Sequence, residues 1–291
     1  MEFMLNNVFG DSIYSGLHSY HSHNAIGMNV MAAGGTRRCP YWVGVELEVE
    51  CNRESARDWL AERTSNWFYL ETDGSLSNYG AEIITIRMNP QVAYNPETWA
   101  TLVEELSDRG ATSHNNGRCG LHVHISRTGF GFTEDEQDET MTKILHLYHN
   151  EFEVRTSYLN LCFRRNYESY CRTSMSDIPS EKRAFIRYAA ETGFGAFTSS
   201  FRKETLKGMS KGGERYTSIN RTNPNTIEFR QGRGTLKATS IAVTVEFVCA
   251  MVDFCRKTSF DKCTSTNFTA YVKKLKKSSE LRRLLITSSE R

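Results

Sequence analysis

The chain has 291 residues and a formal net charge of +2, so it is long enough for one large domain or two small ones. This balance gives no global field that would favour nucleic acid or a membrane surface as a partner. None of the 8 cysteines forms a Cys-x-x-Cys pair, which argues against a structural zinc site. Residues 1–38 contain no apolar signal core, and no stretch is expected to reach the length of a membrane span. A reducing cytoplasm is therefore the expected compartment.

The first half of the chain begins with a polar segment and continues with strands and short helices. Residues 1–38 are rich in Asn, Ser, Gly, Met and His without periodicity, and they are expected to form a flexible arm. Helices are predicted at 54–63 and at 96–109, where Pro96 and Gly110 suit the start and the end of a helix. Strands are predicted at 41–51, 67–70, 81–86 and 119–126, the second and third antiparallel around the turn at Asp73-Gly74.

The second half is predicted to be mainly helical. Thr133 and Glu136 form a capping-box sequence, which begins a helix expected to run from about 134 to about 159. His146 and His149 on that helix are expected to be ordinary packing or surface histidines. Residues 256–291 carry ten Lys and Arg against three Asp and Glu. Because such charge runs are usually solvated, a solvent-exposed tail is expected here and not an anion-binding surface. The remaining predicted elements are a helix at 181–190, two strands at 215–220 and 226–230, an apolar helix at about 239–256 and two shorter basic helices.

Three of the predicted strands alternate apolar side chains with side chains that bind metals or phosphates. Residues 119–126 place Leu, Val and Ile on one face and His122 and His124 on the other. The strand at 226–230 places Glu228 and Arg230 on its polar face. The strand at 41–51 has an aliphatic face and an acidic face of Glu46, Glu48 and Glu50. We expect the three polar faces to form one site.

Glutamates at alternate positions of one strand lie only about 7 Å apart and repel each other unless water or a cation intervenes. A solvent-exposed sheet face is the alternative interpretation, and for Glu50 a salt bridge to an arginine-bearing strand stays open. Arg230 has a planar guanidinium that suits phosphate oxygens. The candidate metal ligands are carboxylate oxygens and one histidine nitrogen, a set that suits Mg²⁺ or Mn²⁺ better than Zn²⁺. Together they indicate a nucleoside triphosphate held by two or more cations.

The order of these motifs resembles the amidoligase family, which belongs with glutamine synthetase and glutamate–cysteine ligase among the carboxylate–amine ligases. The resemblance covers roughly residues 40–255. It implies an α+β fold, with a curved antiparallel sheet that forms a half-barrel funnel and helices packed on its convex face, as in glutamine synthetase. It also implies a flexible arm at 1–38, a catalytic domain at 39–260 and a basic helical extension at 261–291. The matching segments are Gly44-Val45-Glu46-Leu47-Glu48, Asp73-Gly74-Ser75-Leu76, Gly80-Ala81-Glu82, Cys119-Gly120-Leu121-His122-Val123-His124, Arg215-Tyr216 with Asn220, and Thr226-Ile227-Glu228-Phe229-Arg230.

The resemblance implies an ATP-dependent ligase that joins a carboxylate to an amine through an acyl phosphate and releases ADP and phosphate. Arg230 resembles the arginine that contacts the transferred phosphoryl group, and it forms the implied catalytic set with Glu228 and His122. Two or more Mg²⁺ or Mn²⁺ ions would be held by Glu46, Glu48, Glu82, His122 and Glu228. Nucleotide or substrate contacts are implied for Asp73, His124, Arg215 and Asn220.

Two other functions stay open from the sequence. One is a metal-dependent hydrolase with a single metal on His122 and His124, which bound zinc would favour. The other is a nucleotide-binding module that has lost catalysis, against which the intact set of acids, histidine and arginine argues. The carboxylate and amine substrates could be small molecules or peptides, and whether the chain forms a homo-oligomer is left open. Substrate choice is expected to depend on residues 155–212.

Overall fold

The computed structural model describes residues 17–18, 39–52, 54–62, 65, 67–114, 116–148, 161–164, 206–211 and 215–289. The predicted helix at 181–190, the predicted helix beyond residue 148 and nearly all of the predicted arm at 1–38 lie outside these described residues. The chain divides into two compact units. Unit 1 comprises Met1–His124 and Gly232–Val245, and unit 2 comprises Ile125–Gln231 and Glu246–Arg291.

Most of the elements follow each other as the sequence patterns predict, with small shifts at their ends, but the strand Leu17–His18, inside the predicted arm, was not predicted. The strands are β1 (Leu17–His18), β2 (Val43–Glu50), β3 (Phe68–Glu71), β4 (Gly80–Thr85), β5 (Gly120–Ser126), β6 (Ile219–Asn220) and β7 (Thr226–Arg233). The helices are α1 (Glu54–Glu62), α2 (Pro90–Ala93), α3 (Pro96–Asp108), α4 (Glu134–His146), α5 (Ala238–Lys257), α6 (Ser265–Lys273) and α7 (Glu280–Ser289).

Unit 1 is built on a sheet with the strand order β1-β3-β4-β2-β5. The predicted antiparallel pairing of β3 with β4 is confirmed, and β2 also pairs antiparallel with β4. The two-residue strand β1 lies parallel to β3. Helices and antiparallel strands together confirm the α+β class. The half-barrel funnel, the likeness to glutamine synthetase and the helices on a convex face stay predictions, as do the three domain boundaries.

The aliphatic faces of the strands supply the core of unit 1. On β2 the residues from Val43 to Val49 alternate between fully buried and more exposed over most of the strand, because successive side chains point to opposite faces. Val123 on β5 is fully buried as well. Trp99 of α3 closes this core, where its indole N–H donates to the carbonyl of Ala93 at 2.9 Å and its ring meets Trp67 edge-on at 5.5 Å.

The predicted helix signals are present at the helix ends. The side chain of Asn95 caps α3 before Pro96, and Gly110 after its end has a φ of +76°, a conformation that suits glycine. Thr133 and Glu136 form the reciprocal capping box of α4. The short helix α2 was missed, since it is only 4 residues long.

In unit 2, β6 and β7 form the predicted antiparallel hairpin, with Asn220 opposite Glu228. The buried guanidinium of Arg127 holds the hairpin turn by donating from Nε and Nη2 to the carbonyl oxygen of Asn223, at 3.1 and 2.6 Å. It also donates to the carbonyl oxygens of Arg221 and Ser210. The cation therefore ties two carbonyls of the loop between the strands to a third carbonyl from the segment that precedes the hairpin.

The helices of unit 2 pack through aromatic rings. Phe247 meets both Phe163 and Phe268 edge-on, at ring distances of 5.3 and 5.9 Å. His146 packs on Phe260 at 5.0 Å, which confirms its predicted packing role, whereas His149 lies outside the described residues. The described cysteines are free thiols, and all of them except Cys39 are buried.

The expectation that no stretch reaches the length of a membrane span was wrong. The helix α5 has 20 residues with a mean hydropathy of 1.7, which is long and apolar enough to cross a bilayer. However, 78% of its apolar window is buried inside the protein. That burial fits a core helix, whose apolar length reflects contact with other elements on most of its sides.

Candidate metal centre

The acidic face of β2 lies beside one carboxyl group of β4, that of Glu82. Alternation places Glu46 and Glu48 on the same face of β2, and the strand register sets Glu48 directly opposite Glu82. Residues paired in this way have their Cβ atoms about 4.5–5.5 Å apart on one face of the sheet. Glu71 lies opposite Glu82 on its other side, so a row of three carboxylates crosses β2, β4 and β3.

Glu46 lies between the two histidines of β5. Its Oε2 atom is 3.2 Å from Nδ1 of His122, and its Oε1 atom is 2.9 Å from Nε2 of His124. Burial alone would raise the pKa of Glu46, but the positive field of His124 and hydrogen bonds from both imidazoles hold it well below its ordinary value. The imidazoles of His122 and His124 therefore stabilise the anionic form of Glu46.

Glu48 and His122 approach each other beside Gly120. The backbone N–H of Gly120 donates to Oε2 of Glu48, while Nε2 of His122 lies 3.9 Å from Oε1 of the same carboxylate. A Cβ atom on Gly120 would stand 2.6 Å from Nε2 of His122 and 3.4 Å from Oε2 of Glu48. Only a glycine leaves this space open next to the candidate ligand atoms.

Glu82 lies in an environment that disfavours its charged form. Burial raises its pKa well above the ordinary value, and the negative charges of Glu46, Glu48 and Asp73 add to this effect. Such a group needs either a proton or a cation beside it. A divalent cation would neutralise several of these carboxylates at once, so the residues fit a metal centre.

Two sets of ligand atoms in unit 1 are close enough to hold an ion each. In the first set, Glu46, Glu82 and His122 bring one ligand atom each to within 4.8 Å of one another, and in the second set Glu48, Asp73 and Glu82 do the same. Glu82 belongs to both sets. Both sets are compatible with a metal ion, and Mg²⁺ or Mn²⁺ as the bound ion stays a prediction from the oxygen-rich ligands.

The strand β7 carries a second group of the predicted residues in unit 2. The side-chain amide of Asn220 donates to Oε2 of Glu228 at 2.8 Å, and Nη1 of Arg230 donates to Oε1 of Glu228. The Oδ1 atom of Asn220 accepts from both the N–H and the hydroxyl of Thr222, which fixes the orientation of the amide. Arg215 is exposed at the start of the segment that leads into β6.

The structure thus brings the predicted residues together in two groups. Glu46, Glu48, Asp73, Glu82, His122 and His124 converge in unit 1. Asn220, Glu228 and Arg230 converge in unit 2. The prediction that both groups serve one site stays a prediction, and so does a ligand role for Arg215.

The motifs in the sequence did not indicate two further residues near the candidate metal centre. Glu71 is only 1% exposed and lies on the same face of the sheet as Glu82. Its position as the last residue of the strand Phe68–Glu71, just before the turn with Asp73, could have indicated this. Ser77 binds Glu50, and no local pattern indicates this contact because the two residues are 27 positions apart. The carboxylate of Glu50 thus accepts hydrogen bonds from a turn, and a salt bridge from Glu50 to an arginine stays an open alternative.

Comparison of the chain with protein-family models finds a matching family. The model described as "putative amidoligase enzyme" matches residues 42–252. This range contains both groups of candidate residues and agrees with the range over which the motifs resemble that family. A search of curated proteins found no match.

Proposed function

The chain belongs to the amidoligase family, and on this premise we propose that it is an ATP-dependent ligase that joins a carboxylate to an amine. The observation that carries the proposal is the convergence of Glu48, Asp73 and Glu82 at buried or half-buried positions in unit 1. A carboxylate cluster of this kind suits divalent cations that serve phosphate groups. Family membership supports a ligase as the class of enzyme.

The chemistry follows from the poor reactivity of a carboxylate. Its oxygen is a poor leaving group, so amide formation needs prior activation. The carboxylate oxygen attacks the γ-phosphorus of ATP, and the bond from that phosphorus to ADP breaks. The amine then attacks the acyl carbon, phosphate leaves with the bonding electrons, and the amine loses a proton. ADP, phosphate and an amide are the products.

The residues of unit 1 would hold Mg²⁺ or Mn²⁺ in this scheme. Glu46, Glu82 and His122 form one ligand set, and Glu48 and Asp73 form the other together with Glu82. When bound, the ions would neutralise negative charge on the triphosphate and orient it. Glu46 also orients His122, since its carboxylate contacts Nδ1 and so directs the opposite nitrogen of the ring towards Glu48.

We assign Arg230 to the transferred phosphoryl group. Its guanidinium is half-buried and is oriented by Glu228, which is oriented in turn by Asn220. A guanidinium fixed in this way can donate two parallel hydrogen bonds to phosphoryl oxygens, an interaction that is strongest when negative charge develops on them. His124, Asp73, Arg215 and Asn220 stay candidates for contacts with nucleotide or substrate.

The decisive experiment follows an oxygen isotope. Amino acids and peptides are first screened in pairs for an ATP-dependent product by mass spectrometry. The carboxylate substrate is then labelled with ¹⁸O, and the label is traced in the products. Label in the released phosphate supports the acyl phosphate. Pyrophosphate and labelled AMP would reject it in favour of adenylate chemistry, and zinc in the purified protein would favour the hydrolase.

A further inference from the structure

Glu50 continues the acidic face of β2 but belongs to neither ligand set. Its Oε1 atom accepts the backbone N–H of Ser77 at 2.8 Å, and its Oε2 atom accepts the hydroxyl of the same residue. Both carboxylate oxygens are therefore engaged by one residue. This residue lies in the turn between β3 and β4, which also carries Asp73.

Hydrogen bonds within the turn between β3 and β4 restrain the residues around Asp73 and Ser77. The backbone N–H of Ser75 donates to Oδ1 of Asp73 at 2.6 Å, and the N–H of Leu76 donates to the carbonyl of Asp73 at 3.2 Å. At the other end, the N–H of Gly80 donates to the carbonyl of Ser77 at 2.9 Å. Local hydrogen bonds thus hold Asp73 to Ser75 and Leu76. Ser77 follows Leu76 directly in the chain, so the residue that binds the carboxylate lies four positions after the candidate ligand.

The packing leaves this turn little room to move. A Cβ atom on Gly80 would stand 2.5 Å from Cβ of Leu76 and 3.3 Å from Oε2 of Glu50. Glycine at this position allows the turn to lie directly against the end of β2. The turn is therefore held on two sides, by the backbone at Gly80 and by the carboxylate of Glu50.

We propose that Glu50 is a positioning residue that fixes Asp73 against Glu48 and Glu82. Of these three candidate ligands, Glu48 and Glu82 lie on paired strands, whereas Asp73 lies in a turn. A ligand in a turn needs a tie to the sheet to hold its distance from the other two. Glu50 supplies this tie from the strand that carries Glu48, two residues away. The inference rests on the metal centre of the proposed function.

Binding of Mn²⁺ alone tests this role without any substrate. The wild-type protein is titrated with Mn²⁺, and binding is followed by calorimetry and by the electron paramagnetic resonance signal of free Mn²⁺. Two bound ions per chain are expected. Glu50→Ala should weaken one of them by about 10–100-fold, the range known for residues that orient metal ligands, and leave the other unchanged. Ser77→Ala, which removes the hydroxyl only, should weaken the same ion to a smaller extent. Ser75→Ala is the matched control, because it keeps the backbone bond to Asp73.

A double-mutant cycle shows whether Glu50 acts through Asp73. In an Asp73→Asn background, Glu50→Ala should cause no further loss of Mn²⁺ affinity. Losses that simply add, or two unchanged ions in folded Glu50→Ala, would overturn the positioning role. If Glu50→Ala does not fold, unchanged binding in Ser77→Ala overturns it. Failure of the wild type to bind Mn²⁺ would reject the proposed metal centre itself, together with this inference.

Discussion

Glu48 and Glu82 lie directly opposite each other on β2 and β4, and their side chains are buried, with residue exposures of 6% and 4%. Like charges in this position destabilise an antiparallel pair, and burial removes the water that would screen them. A divalent cation between the two carboxylates would reverse the sign of this interaction. The metal-free fold is therefore expected to carry an electrostatic cost at the place where the ion would bind.

Glu82→Gln should make the metal-free protein more stable, because the amide keeps the shape of the side chain and removes the cost of keeping a buried carboxyl group either charged beside other carboxylates or protonated. A gain of about 1 kcal/mol corresponds to a rise in Tm of about 2–4 °C. The same variant should lose most of the stabilisation that Mg²⁺ gives the wild type, because both ligand sets use Glu82. Thermal unfolding in EDTA and in Mg²⁺ measures both effects. The idea fails if Glu82→Gln keeps the full Mg²⁺ effect, and exposed Glu62→Gln serves as the control.

Gly120→Ala should weaken the ion bound by His122 while the protein stays folded. The added methyl group would stand 2.6 Å from Nε2 of His122, so the imidazole has to move away from Glu48. We expect a loss of Mn²⁺ affinity on the order of tenfold, comparable with other changes that misorient a ligand. Gly74→Ala is the control, since its methyl group would meet nothing within 4 Å. Equal Mn²⁺ affinities of the two variants would contradict the crowding at Gly120.

Arg230→Lys should reduce kcat about a hundredfold or more and change the affinity for ATP little. Lysine keeps the positive charge but loses the planar pair of donors that suits phosphoryl oxygens. Loss of an interaction that is strongest in the transition state lowers kcat without raising KM in proportion. ADP release is measured with a substrate pair found by screening, and ATP binding by calorimetry. Normal turnover of a folded lysine variant would remove Arg230 from the mechanism.

Glu246→Gln should change how stability depends on pH. Burial raises the pKa of Glu246, although its carboxylate accepts the N–H of Leu281 at 2.9 Å. The pKa of Glu246 is higher in the folded state than in the unfolded state. The contribution of this group to the free energy of unfolding is therefore fully present below the unfolded pKa of about 4.3 and is lost as the pH rises through the folded pKa. Glutamine does not titrate, so Tm of the variant relative to the wild type should rise between pH 4 and pH 7. A relative Tm that is constant over this range would contradict the prediction.

Local sequence patterns were enough to predict most described elements. The period of two in β2 and β5 predicted both the strands and the face on which Glu46 and His122 lie, because successive side chains of any strand point to opposite faces. The capping box at Thr133 and the glycine at 110 marked helix ends through their own backbone chemistry. These features depend on residues that are close in sequence.

The relationships that define the candidate metal centre depend on residues far apart in the chain. An alternating pattern shows that Glu48 faces the same side as Glu46, but it cannot show that Glu48 stands opposite Glu82, since register is set by turn geometry and by packing of the whole sheet. For the same reason nothing local connects Glu50 with Ser77. The sequence by itself determined which side chains share a face of each strand. Only the tertiary structure decided which of them meet, because the contacts between strands fix those distances.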